Sequence, residues 1–121
     1  MVAAALLAWT GSARSTGDEL DTDLMHSIED TNKSLASNIA MQDAGASGSD
    51  AKQLDEMFAQ VETFFEHEGD AADAVALARK SRALSTQIQQ HIAAKDFATA
   101  TDAATTLSRT CKTCHNFYKK S

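Results

Sequence analysis

The chain contains no proline and only five glycines among its 121 residues. Because these residues are the strongest breakers of helices, their scarcity predicts long, uninterrupted helices. Lysine and arginine together number 11 against 17 aspartates and glutamates, which gives a formal net charge of −6 at pH 7. A protein that neutralises phosphates needs a basic surface, so this balance argues against a nucleic-acid-binding function.

The sequence also lacks an apolar run long enough to span a membrane. Residues 2–9 (VAAALLAW) form a short apolar run, whereas a membrane-spanning helix needs about 20 apolar residues. Small and polar residues follow, as at the end of a secretory signal, although no lysine or arginine precedes the run. We interpret residues 1–17 as a signal-like segment, with a frayed N-terminus as the alternative, and expect one domain over residues 18–121.

Four stretches of the chain repeat apolar residues at spacings of three and four. This is the pattern of a helix that buries one face. The fourth stretch is the most regular, and its stripe includes both cysteines, so both are expected to face the core. The four predicted helices cover residues 18–42, the stretch ending at Gly69, residues 71–94, and residues 97–118.

The connections between these stretches are expected to be short. Residues 44–50 (AGASGSD) are rich in glycine and serine and are predicted to form a loop, with Ser49 or Asp50 capping the second helix. Gly69 is predicted to end that helix in the left-handed conformation. Four helices with short connections and no strand-like alternation predict an all-α fold, an antiparallel up-down-up-down four-helix bundle.

Near the end of the fourth predicted helix, Cys111, Cys114 and His115 form the sequence C-x-x-C-H (CKTCH), a pattern typical of c-type haem attachment. Two thiols at this spacing can bond the two vinyl groups of one porphyrin, and the adjacent histidine can bind its iron. Cys111 lies one helical turn before His115, and Cys114 one turn before Tyr118. We therefore expect the haem against the interior, near one end of the bundle.

Two other interpretations of the cysteines are weaker. A dithiol redox pair is expected at the start of a helix in a βαβ unit, where the helix dipole lowers the thiol pKa, but this pair lies near a helix end with no strands predicted. A zinc site needs further cysteine or histidine ligands, and the remaining histidines do not have metal-ligand spacing.

A C-x-x-C-H motif at the C-terminal end of four helices resembles the cytochrome c-prime family and its methionine-ligated, low-spin relatives. The resemblance covers about residues 18–121, and its specific part is residues 111–119 (CKTCHNFYK). It implies a four-helix bundle with one covalent haem c, and a basic residue four positions after the haem histidine. Lys119 has that position, where arginine is more usual. Such relatives are often homodimers through the first helix.

The sixth iron ligand has to come from upstream, because only six residues follow His115. In an up-down-up-down bundle, the end of the fourth helix is level with the starts of the first and third helices and with the end of the second. Met25 lies at that level, and the methionine-binding relatives take their ligand from this part of the first helix. We expect His115 and Met25 to bind the iron; His26 and an open position are the alternatives.

Other residues at the same level are expected to contact the haem. Arg79 and Arg82 are predicted to pair with its propionates, because guanidinium bonds carboxylate in a bidentate manner; ordinary surface arginines are the equal alternative. If the sixth position is open, its apolar lining is expected to come from Leu24, Ile28 and Phe65.

His/Met coordination raises the haem potential, so the expected function is one-electron transfer with an unidentified redox partner protein. An open apolar face would instead bind a small gas such as nitric oxide or carbon monoxide. No paired carboxylates or nucleophile–base arrangement accompanies the motif, so we do not expect an enzyme. Covalent haem attachment resembles an extracytoplasmic process, which predicts a periplasmic protein without a membrane span.

Overall fold

The computed structural model describes residues 22–118, and for residues 117 and 118 the backbone only. The predicted signal-like segment and Lys119 lie outside this part of the chain, as does the side chain of Tyr118. Connections of three residues separate consecutive helices. The described helices are α1 (Thr22–Ala40), α2 (Ala44–Glu68), α3 (Ala72–Ala93) and α4 (Phe97–Tyr118).

Each helix packs against its neighbours in the chain, and α1 closes the ring against α4. The diagonal pairs, α1 with α3 and α2 with α4, make no close backbone contact over the described residues. The predicted all-α, antiparallel up-down-up-down four-helix bundle is therefore confirmed. Within residues 22–118, the α2–α3 seam is the most extensive of the four and the α1–α4 seam is the least. No helix within residues 22–118 has both the length and the apolarity needed to cross a membrane.

The loop predicted over residues 44–50 is wrong, because α2 begins at Ala44. Asp43 caps this helix: its Oδ1 accepts a hydrogen bond from the backbone N–H of Ala46 at 3.0 Å. The chain reverses one residue earlier, at Gln42, which has a φ of 57°. One side-chain cap thus satisfies a donor of the first helical turn and starts the helix before the glycines.

Tertiary contacts then hold the glycine- and serine-rich turn in a helix. Ser47 is fully buried, and its hydroxyl donates to the backbone oxygen of Asp43. Asp50, which was predicted as a cap, instead accepts hydrogen bonds from Ser34 Oγ and Asn38 Nδ2 of α1, both at 2.8 Å. Packing and hydrogen bonds to α1 offset the low helix propensity of this segment, as tertiary context often does.

The other helix ends agree closely with the predictions. Gly69 follows α2 with a φ of 77°, the left-handed C-cap expected there.

Asp96 precedes α4, and its Oδ1 accepts a hydrogen bond from the N–H of Thr99 at 3.1 Å. Hydrogen bonds from the side chain and backbone of Thr99 lower the pKa of Asp96, because they stabilise its charged form. α4 then runs from Phe97 to Tyr118, the bounds that its apolar spacing predicts.

Replacing Asp43 with alanine is expected to lower the free energy of unfolding by about 1 kcal/mol, the usual cost of losing an N-cap. Asp43→Asn keeps an acceptor oxygen at the same place and is expected to retain most of that stability. Urea denaturation followed by circular dichroism measures both variants. An alanine variant as stable as the wild-type protein would show that Asp43 does not start α2.

Candidate functional site

An apolar cleft enters the bundle at the end where α1 and α3 begin and α4 ends. About 580 Å³ of atom-free space lies in and in front of it, including the space open to solvent at its mouth. All four helices contribute to its walls. The lining residues are Met25, Ile28, Glu29, Asn32, Phe58, Val61, Leu77, Ala78, Ser81, Cys111, Cys114 and His115.

The three residues of the C-x-x-C-H motif all line this cleft. Cys111 and Cys114 are partly buried and carry free thiols, and Cys111 packs against the hydrophobic core. His115 lies one residue further along α4 and is exposed at the rim. Because helical positions three and four apart share a face, α4 presents the motif to the cleft as its spacing predicts.

The surroundings of the two thiols favour their protonated form. Burial raises the pKa of Cys111 from 9.0 to about 11, and the neighbouring Cys114 contributes to this rise. Burial also raises the pKa of Cys114. A reactive dithiol needs the opposite, because its nucleophile is the thiolate, and a nearby cation or helix N-terminus usually lowers its pKa. These thiols therefore lack the electrostatics of a thioredoxin-like pair.

The raised pKa predicts slow alkylation of Cys111 in the folded, haem-free chain. At pH 8 the thiolate fraction is expected to be roughly 100-fold lower than in the unfolded chain, since the thiolate is the reacting form. The rate of reaction with iodoacetamide, followed from pH 7 to pH 11.5 by mass spectrometry, is expected to keep rising until the pH reaches about 11, whereas in the unfolded chain it levels off near pH 9.0. A profile that matches the urea-unfolded chain would contradict the burial of this thiol.

Met25 also lines the cleft, from α1, and is partly buried against the core. Its level along the bundle follows from a hydrogen bond between α1 and α4, in which Asn32 Nδ2 donates to Ser108 Oγ at 3.2 Å. Met25 lies seven residues before Asn32, and His115 lies seven after Ser108. Since the helices are antiparallel, both steps lead two turns, about 10 Å, toward the same end of the bundle. Met25 and His115 therefore lie at one level of the bundle, on the helix faces that carry Asn32 and Ser108.

Arg79 and Arg82 do not line the cleft and lie on the side of α3 that faces α2. Arg79 donates to Glu62 at 3.0 Å and to Glu66 at 3.2 Å. Arg82 donates to Asp55 and to Glu62, both at 3.1 Å. The hydrogen bond from Arg79 lowers the pKa of Glu62, because it stabilises the carboxylate. The predicted pairing of these arginines with haem propionates would require these ion pairs to open, so we do not include them in the site.

The predicted apolar lining is found only in part. Ile28 lines the cleft, whereas Leu24 packs against the core beside it. Phe65 is buried in the core, where its ring packs edge-on against Phe64 with centroids 5.0 Å apart. His26, the alternative ligand, is exposed and does not line the cleft.

The structure adds lining residues that the sequence interpretation missed. Asn32 continues the spacing of three and four from Met25 and Ile28, and this stripe would have identified it. The other additions are a glutamate of α1, apolar residues of α2 and α3, and a buried serine of α3. A stripe alone does not say which turn of a helix borders a cavity. These additions are Glu29, Phe58, Val61, Leu77, Ala78 and Ser81.

The side chains of this cleft fit a covalently attached haem. They offer apolar walls, two free thiols one helical turn apart, and both an imidazole and a thioether that can bind iron. A zinc site is less consistent with the same side chains, because no group of three or more His, Cys, Asp or Glu residues gathers within the described part of the chain.

A comparison of the chain with protein-family models, with curated proteins and with solved structures finds no match. The resemblance to cytochromes of the c-prime type therefore rests on the residues themselves: the C-x-x-C-H motif, its place at the end of the fourth helix, and a methionine that lines the same cleft.

Proposed function

We propose that this protein is a monohaem c-type cytochrome of the c-prime type that transfers single electrons. In this proposal, Cys111 and Cys114 hold the haem through thioether bonds and His115 binds its iron. Met25 is the sixth ligand. The observation that carries the proposal is that all four side chains line one apolar cleft, with Met25 and His115 at the same level of the bundle.

The two thiols support covalent attachment more than disulfide exchange. They lie one turn of α4 apart on the wall of the cleft, and their raised pKa keeps them protonated at neutral pH. A dithiol that exchanges disulfides depends on a stabilised thiolate, which this apolar wall disfavours. Addition of each thiol across a vinyl group of the porphyrin would form one carbon–sulfur bond per cysteine, with no disulfide step.

The bound haem would supply one-electron redox chemistry, and the chain's own residues would set its potential. A histidine with a methionine opposite raises that potential relative to ligands that donate more strongly. The side chains of Ile28, Phe58 and Val61 are apolar and almost fully buried, so they would leave little room for water beside a bound haem. A dry, preorganised surrounding changes little between the two oxidation states, which favours electron transfer.

The second candidate function is reversible binding of a small neutral gas. It is favoured by the apolar walls of the cleft and by its opening to solvent. If Met25 does not bind iron, its partly buried thioether and Ile28 would form an apolar lining for nitric oxide or carbon monoxide. We place electron transfer first, because Met25 is level with His115.

The proposed biological setting follows from the cofactor. We propose that the mature protein is periplasmic, where c-type haem is attached, and that it exchanges electrons with a partner protein of unknown identity and does not act as an enzyme. A homodimer through α1 is the arrangement that the family resemblance implies.

Optical spectroscopy of the purified protein tests these alternatives. For electron transfer through Met25, we expect a c-type pyridine haemochrome, a low-spin oxidised spectrum with a methionine-to-iron charge-transfer band in the far red, and a reduced spectrum that changes little on adding carbon monoxide. High-spin bands that shift with carbon monoxide would favour gas binding. Absence of haem after expression in a host that matures c-type cytochromes would overturn both.

A further inference from the structure

A hydrogen bond between two side chains joins the half of α1 that borders the cleft to α4. Further along α1, away from the cleft, Ser34 and Asn38 donate hydrogen bonds to the carboxylate of Asp50 on α2. Toward the cleft, α1 lies along α4 on the least extensive seam of the bundle. The hydrogen bond from Asn32 to Ser108 lies on that seam. Along α1, Asn32 comes between Met25, which lines the cleft, and the two residues that bond to Asp50.

This hydrogen bond favours one height and one rotation of α1 relative to α4, together with the packing of the buried face of α1. A slip of α1 by one residue would move Met25 by about 1.5 Å along the bundle and turn it by about 100°. Asn32 itself lines the cleft, so the bond lies at the inner edge of the site. The partly buried amide and hydroxyl also favour this register, because a slip would leave both without their partner.

We propose that Asn32 is a positioning residue for the sixth iron ligand: its hydrogen bond to Ser108 holds α1 in the register that places Met25 opposite His115. The inference rests on the proposed function, since it concerns the binding of iron by Met25. Asn32 acts through the helix and does not itself contact the iron.

The size of the effect follows from the strength of one hydrogen bond. A net hydrogen bond between neutral groups shifts an equilibrium by roughly 2- to 12-fold. Its loss is therefore expected to shift the balance between iron-bound and released Met25 by that factor toward release. Carbon monoxide competes with Met25 for the same position of the reduced iron, so its apparent affinity is expected to rise by the same roughly 2- to 12-fold.

The test measures carbon monoxide affinity and the far-red methionine band in the full-length haem-loaded protein. Asn32→Ala and Ser108→Ala each remove the bond, and Ser108→Thr keeps the hydroxyl. Asn38→Ala is the matched control, because it removes an amide of the same helix that bonds to α2 and does not line the cleft. Thermal unfolding of each variant separates a loss of stability from a loss of register.

We expect both alanine variants at the Asn32–Ser108 pair to raise carbon monoxide affinity and weaken the band, while Ser108→Thr and Asn38→Ala retain wild-type behaviour. If Asn32→Ala does not fold, Ser108→Ala decides. Wild-type affinity in the folded variants, or an equal rise in Asn38→Ala, would overturn the positioning role. A wild-type protein that has haem but no methionine band would overturn Met25 ligation, and this inference with it, before any variant is compared.

Discussion

Replacing Cys111 and Cys114 together with alanine is expected to abolish covalent haem attachment. Both thiols line the cleft on one face of α4, and no other cysteine exists in the chain to replace them. The wild-type protein is expected to keep its haem through extraction with acidified acetone, whereas the double variant would lose all of it. Intact-protein mass spectrometry before and after extraction measures this difference directly.

Thr113→Ala is the matched control for the cysteine variants. Thr113 lies between the two cysteines, is exposed, and uses its hydroxyl for a 3.0 Å hydrogen bond to the backbone oxygen of Arg109. Its replacement leaves the C-x-x-C-H pattern complete, so haem attachment is expected to be unchanged. Haem that resists extraction in the double-cysteine variant would contradict the proposed attachment.

Replacing Met25 with alanine is expected to convert a low-spin haem into a high-spin one. Met25 and His115 line the same cleft, and removal of the proposed thioether ligand would leave the sixth position open or occupied by water. The far-red methionine band is then expected to disappear. The reduction potential is expected to fall by on the order of 100 mV, within the roughly 0.8 V over which axial ligands set haem potentials.

Met57→Ala is the matched control for this variant. Met57 is partly buried against the same core, but it does not line the cleft. Its truncation is expected to lower stability, because packing is lost, and to leave the spectrum low-spin. An unchanged spectrum in Met25→Ala, or the same spectral change in Met57→Ala, would show that Met25 is not the sixth ligand.

The helix pattern of the second half of the bundle could be predicted from the sequence. The stripe of α4 continues without a breaker from Phe97 to Tyr118, and the structure gives the helix those bounds. Gly69 has the positive φ that its place after the second stripe predicts. In both regions the local signals and the tertiary packing favour the same conformation, which is why the sequence is sufficient there.

The start of α2 could not be predicted from composition. The segment over residues 44–50 has the glycine and serine content of a loop, and it is helical because Asp43 caps it and Asp50 bonds to α1. The cap signal was present in the sequence, one residue before the segment. The bond between Asp50 and α1 depends on how the two helices pack, which no local pattern contains.

The sequence predicts the motif residues of the site correctly, and the contacts of the polar residues around it less well. The spacing of apolar residues correctly places Cys111, Cys114 and Met25 on the inner faces of their helices. It does not say which neighbouring helix a side chain at the edge of such a face will contact. Arg79 and Arg82 turn toward an acidic stripe on α2. That stripe has helical spacings of seven and four and was visible in the sequence, in Asp55, Glu62 and Glu66.

The most direct test of this account is the intact mass of the protein purified from a host that matures c-type cytochromes. We predict one species that carries a single haem, stable to denaturation and acid extraction, with the modification on the peptide that contains Cys111 and Cys114. A chain of unmodified mass with two free thiols, obtained from a host that loads a known c-type cytochrome in parallel, would contradict the account.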